Sequence, residues 1–260
     1  MVIKDWQKEH FSVISDFLKE LNKATSDFVL KGGTSLMMCY NLDRFSEDID
    51  LDGKRNNKNI EKIVEEFCRK NNYCYNVNKN TDTVKRFMIH YSENNKPLKV
   101  EISFRQKNIR RDNLTNINNI EVYNINSLCR MKASAYQSRD KIRDLYDVCF
   151  ICNNYWNELS SETVDMLRNA VEYKGIEQFD YILREQSDEL IDNDKLTEDF
   201  LSMYDKLDLL YTEEEKDIMS SNLRSESNTF VQEVEKITEW CEEAQEKASE
   251  RLEEQKNIEI

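Results

Sequence analysis

Three short stretches of this chain carry side chains that, brought together, can do chemistry at phosphorus. Asp48-Ile49-Asp50 spaces two carboxylates at i and i+2. On a strand those positions share a face, so both acids point one way while Ile49 and Leu51 enter a core. Two hard oxygen ligands so placed suit Mg²⁺, which takes a few carboxylates together with substrate phosphates; a solvated acidic strand end has the same spacing. Glu101 is the lone acid of a later apolar and basic strand, on the face opposite the packing one. If the two strands are neighbours, three carboxylates converge, and such a cluster repels itself unless cations neutralise it. The expected arrangement is a two-metal site for in-line displacement, with Asp48 and Asp50 bridging both ions and Glu101 on the ion that activates an incoming hydroxyl. The third stretch, Gly32-Gly33-Thr34-Ser35, uses half of the four glycines in the chain. Glycines let backbone approach a phosphate closely, a following helix offers free N–H groups and its positive dipole end, and Thr34 and Ser35 add hydroxyls. A glycine pair at a strand–helix turn also has a purely structural reading.

The elements that must position these residues are legible from periodicity. Residues 4–24 read as an amphipathic helix capped by Asp5, with Trp6, His10, Val13, Ile14, Phe17, Leu18 and Leu21 at helical spacing. Residues 27–31 form a short strand, the glycine turn follows, and a helix runs from Leu36 to Asn41. Residues 47–52 alternate polar and apolar and read as a half-buried strand; 58–71 is helical; strands follow near 73–79, 84–91 and 98–105. In the last of these Leu98, Val100, Ile102 and Phe104 share one face, and Lys99, Glu101 and Ser103 the other. A polar Asn-rich loop near 112–120 precedes a short strand at 120–124, and from Ser127 the chain reads as helical to its end. The expectation is an α/β domain with a small mixed sheet over residues 1–126, then an all-helical domain over 127–260, acidic from about residue 155. A thin stripe in the last stretch (Val231, Val234, Ile237, Cys241, Ala244, Ala248, Leu252) reads as a helix packing edge or a coiled-coil seam.

Composition narrows the partners. The chain has 260 residues, 39% hydrophobic and 34% charged, enough to bury a core. No apolar run approaches the roughly 20 residues of a membrane span, and the N-terminus lacks a signal-peptide pattern; a cytoplasmic protein with no membrane contact is expected. The seven cysteines are scattered, which fits reduced thiols better than a disulfide frame. Cys149-Phe150-Ile151-Cys152 has no second pair and no nearby histidine, so zinc is not expected there. His10 and His90 are the only histidines, which disfavours His-based catalysis. Net charge is −14, but residues 1–150 carry +5 and residues 151–260 carry −19. The total argues against a nonspecific nucleic-acid coat, whereas the first half can still meet a polyanion. Lys85-Arg86 and Arg110-Arg111 either face an RNA backbone or are simply solvated.

With 15 residues from Gly33 to Asp48, the glycine turn, the Asp-x-Asp pair and the later acid resemble the nucleotidyltransferase fold of the DNA polymerase β type. More narrowly, Lys31-Gly32-Gly33-Thr34-Ser35-Leu36 and Arg44-Phe45-Ser46-Glu47-Asp48-Ile49-Asp50-Leu51 resemble the opening motifs of the AbiEii/AbiGii nucleotidyltransferase toxins of bacterial abortive-infection and toxin–antitoxin systems. Met131-Lys132-Ala133 and Arg143-Asp144-Leu145-Tyr146-Asp147 are similar to that family's helical lysine and aspartate motifs, and the resemblance covers residues 28–150.

The resemblance implies that Ser35 contacts nucleotide phosphate at the turn formed by Gly32, Gly33 and Thr34, that Asp48 and Asp50 hold metal, and that Lys132 offsets charge on the triphosphate or leaving pyrophosphate. Asp144 would orient Lys132 or a substrate hydroxyl; Asp147 would cap its helix or pair with Arg143. Ser46 and Arg44 are family features, Arg44 either contacting phosphate or pairing with Asp43 or Glu47. The implied activity is Mg²⁺-dependent transfer of a nucleoside monophosphate from an NTP to RNA, the tRNA 3′ end first, with a cognate antitoxin as partner. Two rivals stand beside it: transfer to a protein Ser, Thr or Tyr, and a non-catalytic nucleotide-binding partner protein. The acidic tail would mimic a polyanion, dock a basic antitoxin, or be a helical support.

Overall fold

The computed structural model describes residues 4–54 and 59–210. Helix α1 (Asp5–Ala24) buries His10, Val13, Ile14, Phe17, Leu18 and Leu21, the face its periodicity predicts. Strand β1 (Phe28–Lys31) passes directly into α2 (Gly32–Cys39). Then come β2 (Ile49–Gly53), α3 (Ile60–Asn71), β3 (Cys74–Asn80), β4 (Val84–His90) and β5 (Leu98–Ser103). A hairpin of β6 (Leu114–Ile117) and β7 (Ile120–Tyr123) leads to four helices: α4 (Ile125–Ser138), α5 (Ile142–Tyr155), α6 (Ser161–Glu185) and α7 (Asn193–Lys206). A mixed α/β region is thus followed by an all-helical one, as the sequence pattern predicts.

Among the described residues one seven-stranded sheet forms, in the order β3-β4-β5-β2-β1-β7-β6. Strand β2 is central, parallel to β5 and antiparallel to β1. Its alternation does the sorting. Ile49 and Leu51 are buried with Val100 and Ile102 of β5, on the side where α1 packs with α3 and meets β5 and β7. Asp50 takes the other face. There the register sets a row of charge across four strands: Arg86 opposite Glu101, Glu101 opposite Asp50, and Asp50 opposite Lys31.

Three boundaries differ from expectation. Helix α2 begins at Gly32 rather than Leu36, because Gly32 at φ 77° makes the turn in a single residue. Strand β2 begins at Ile49, so Asp48 sits on the approach to the strand. The Asn-rich loop holds a strand of its own: Asn118 and Asn119 have φ of 52° and 63°, the pair of left-handed residues that closes a tight hairpin. Two compact units divide the chain, Met1–Leu207 and Asp208–Ile260, and every element named above lies in the first. The stripe at 231–252 falls outside the described residues. Among them no helix is long and apolar enough to cross a membrane.

Candidate active site

Two hydrogen bonds pin the backbone that delivers the acids. His10, buried on α1, is 2.7 Å from the Glu47 carbonyl through Nε2 and 2.6 Å from Tyr91 Oη through Nδ1. A carbonyl only accepts, so Nε2 carries the proton and Nδ1 accepts from the tyrosine. One residue on, the Thr34 hydroxyl bonds the Asp48 carbonyl and lies 2.9 Å from Ser46 Oγ. Histidine and threonine therefore act on the frame of the site. Ser35 does likewise: its hydroxyl donates to the Gly32 carbonyl at 2.7 Å and is shut off from solvent.

The glycine pair permits close approach. A Cβ on Gly32 would lie 3.0 Å from Asp50 Oδ2, and one on Gly33 would lie 2.8 Å from Ser46 Oγ and 2.9 Å from Arg44 Nη2. The turn is thus pressed against the acidic strand and Arg44, with the N-terminal end of α2 beside them.

These groups line one cleft of about 940 Å³ together with residues of α4, α5 and the α6–α7 connection. Gly33, Arg44, Ser46, Asp48, Asp50, Glu101, Lys132 and Asp144 all border it, whereas Gly32, Thr34 and Ser35 support it from behind. Lys85 is buried and also absent from its lining, while its neighbour Arg86 borders it.

The helical wall is an ion-pair network. Arg44 is not paired with Asp43 or Glu47. Its Nε and Nη2 each donate to Asp147 at 2.8 Å, and both side chains are almost fully enclosed. Lys132 Nζ lies 2.6 Å from Asp147 and 3.5 Å from Asp144, and Arg139 reaches Asp144 at 2.6 and 3.1 Å. Two buried aspartates one helical turn apart thereby hold three cations toward the cleft. Asp43 binds Tyr146 and Lys195 instead. Arg143 spans Asp188 (2.5 Å) and Glu47 (3.5 Å), tying the α6–α7 connection to the segment before β2. Sequence reasoning missed Arg139 and the partnership of Arg44 with Asp147. A cation five residues before Asp144 was visible, but nothing local marked it.

On the sheet side, Lys99 Nζ lies 2.5 Å from Asp48 Oδ2, and Arg86 Nη2 2.5 Å from Glu101 Oε2. Among the described residues no hydrogen bond or ion pair to the Asp50 carboxylate is found. Burial pushes its carboxyl upward; Lys99 and Lys31 oppose this, and the charges of Asp48 and Glu101 add to it. Glu101 lies opposite Asp50 in the register and all three carboxylates border the cleft, while among the described residues no group of three His, Cys, Asp or Glu side chains is arranged to hold a metal. Arg86 pairs with Glu101 as Lys99 pairs with Asp48; Asp48 and Asp50, two residues apart on one segment, form the nearest oxygen pair. That pair fits a divalent cation in donor type, in facing the cleft, and in the uncompensated charge at Asp50.

A strand–turn–helix pressed on an acidic strand, facing a helical wall of cations, is an arrangement suited to a nucleoside triphosphate. The model of the AbiEii nucleotidyl transferase toxin of type IV toxin–antitoxin systems matches residues 16–222, and the chain belongs to that family of nucleotidyltransferase toxins. Membership brings an NTP substrate and an antitoxin partner in general terms. The fold is similar to that of JHP933 from Helicobacter pylori, at 24% identity over 86% of this chain and 99% of that one, with a TM-score of 0.67. It is also similar to a second H. pylori structure, provisionally described as a nucleotidyltransferase, at 22% identity over 80% and 99% of the two chains and a TM-score of 0.63. No curated protein sequence matches the chain.

Proposed function

We propose that this toxin transfers a nucleoside monophosphate from an NTP to an RNA hydroxyl, with the tRNA 3′ end as the first acceptor to test. The observation that carries the reading is the facing of Asp48 and Asp50 by Lys132 and Arg139 across one cleft. The acceptor hydroxyl loses its proton to solvent as its oxygen bonds the α-phosphorus, the bond from that phosphorus to the bridging β-phosphate oxygen breaks, and pyrophosphate leaves with the electron pair. Negative charge grows on that leaving group, and the ammonium of Lys132, aimed by Asp144 and Asp147, is suited to offset it. Gly33 and Arg44 border the space beside it, where the N-terminal end of α2 favours a phosphate. Asp48 and Asp50 are the residues that would hold Mg²⁺, which when bound supplies charge neutralisation on the phosphoryl oxygens. Glu101 lies next to that pair and, with Arg86, borders the same cleft.

Incubation with each labelled NTP, with total tRNA or with cell lysate, tests the reading. Label in tRNA, dependent on Mg²⁺ and lost in Asp48→Ala/Asp50→Ala, is the expected result. Label in protein would move the acceptor to a Ser, Thr or Tyr. Cell toxicity unchanged by the double substitution would end the enzymatic reading and leave a nucleotide-binding protein.

A further inference from the structure

The cations of the cleft differ in what holds them. Arg44 and Lys132 are clamped by Asp147, and Arg139 by Asp144, both buried carboxylates of α5. Arg86 is held by Glu101. Lys99 alone among these is bound to a carboxylate of the pair suited to a divalent cation: its Nζ sits 2.5 Å from Asp48 Oδ2. It projects from β5 two residues before Glu101, on the same strand face, and both partners are half-exposed.

We propose that Lys99 is a resident counter-ion that makes cation loading at Asp48 depend on nucleotide. A divalent ion approaching Asp48 either displaces Lys99 from Oδ2 or binds through the other carboxylate oxygen, and in both cases sits within a few ångströms of the ammonium. Like charges at such a separation in a partly enclosed cleft oppose binding. A triphosphate changes the balance by giving the released ammonium an anionic partner. Cation and nucleotide then load cooperatively, and by linkage each tightens the other by the same factor. This rests on the cleft being the nucleotide site proposed above.

The test measures Mn²⁺ affinity by electron paramagnetic resonance, with and without non-hydrolysable NTP analogues, in the wild type, Lys99→Met and Lys99→Arg. Thermal melts verify that both variants are folded. For Lys99→Met, Mn²⁺ alone is expected to bind about 3- to 5-fold more tightly, the factor a partly exposed ion pair supports. The tightening produced by nucleotide should shrink by the same factor. Lys99→Arg, which keeps the cation, should behave as the wild type. If Lys99→Met binds Mn²⁺ no more tightly than the wild type while nucleotide still enhances binding in both, the counter-ion role is overturned and the nucleotidyltransferase reading stands. If neither protein binds Mn²⁺ even with nucleotide, the metal assignment of Asp48 and Asp50 falls, and this role with it.

Discussion

Asp147 is the side chain on which the cationic wall depends. It is fully enclosed and binds Arg44 through both oxygens and Lys132 at 2.6 Å. Asp147→Asn leaves two buried cations facing a neutral amide. A loss of about 3–5 kcal/mol in unfolding free energy is expected from urea denaturation. Asp50 should respond in the opposite sense. Folding raises its carboxyl above the ordinary value, so the folded state binds the proton more tightly than the unfolded chain. This group's contribution to stability is therefore present below the ordinary carboxylate range and lost as pH rises through the raised value. Asp50→Asn is expected to be more stable than the wild type at neutral pH, to lose that advantage in acid, and to be inactive in nucleotide transfer; urea titrations at several pH values check it. Alternation made the spacing of Asp48 with Asp50, and the place of Glu101 on the polar face of its own strand, legible in the sequence; their meeting needed the pairing of β2 with β5, which alternation does not fix. Arg44 with Asp147 was not legible. The partners are 103 residues apart, and only the packing of α5 against the segment after α2 joins them.

At the scale of elements, two glycines have separable jobs. Gly32 combines positive φ with a 3.0 Å approach to Asp50, so Gly32→Ala adds backbone strain of about 1–2 kcal/mol and also displaces a carboxylate. Stability and transfer rate should fall together. Gly175 interrupts α6 at φ 70° and ψ 173° with open space around it. Gly175→Ala is expected to cost about 1–3 kcal/mol through backbone strain alone, visible as a lower melting temperature, with nucleotide affinity unchanged. The two cases explain why some elements were easier to read than others. Long periodic stretches such as α1 carry their own signal. The β6–β7 hairpin did not, because asparagines populate both solvated loops and left-handed turns, and four residues of β6 are too few for a clear alternation.

For the whole molecule, the charge split matters more than the total. Residues 1–150 hold the acids of the sheet yet carry +5, whereas the remainder carries −19. Binding of an RNA acceptor is expected to weaken log-linearly with salt, because phosphate contacts release counterions; filter binding between 50 and 200 mM salt, a range of about fourfold, would measure it. A flat response would argue for a protein acceptor.

The central place of β2 has a kinetic consequence. Two strands separate it from each outer strand, β4 and β5 on the side that ends in β3, β1 and β7 on the side that ends in β6. Hydrogen exchange at Ile49–Gly53 should therefore require opening of the entire first unit, while β3, nearly all of it solvent-facing, exchanges within its own fluctuations. The carboxylates are consequently timed by global unfolding, and any motion on the scale of a turnover has to belong to the helices and connections that face them.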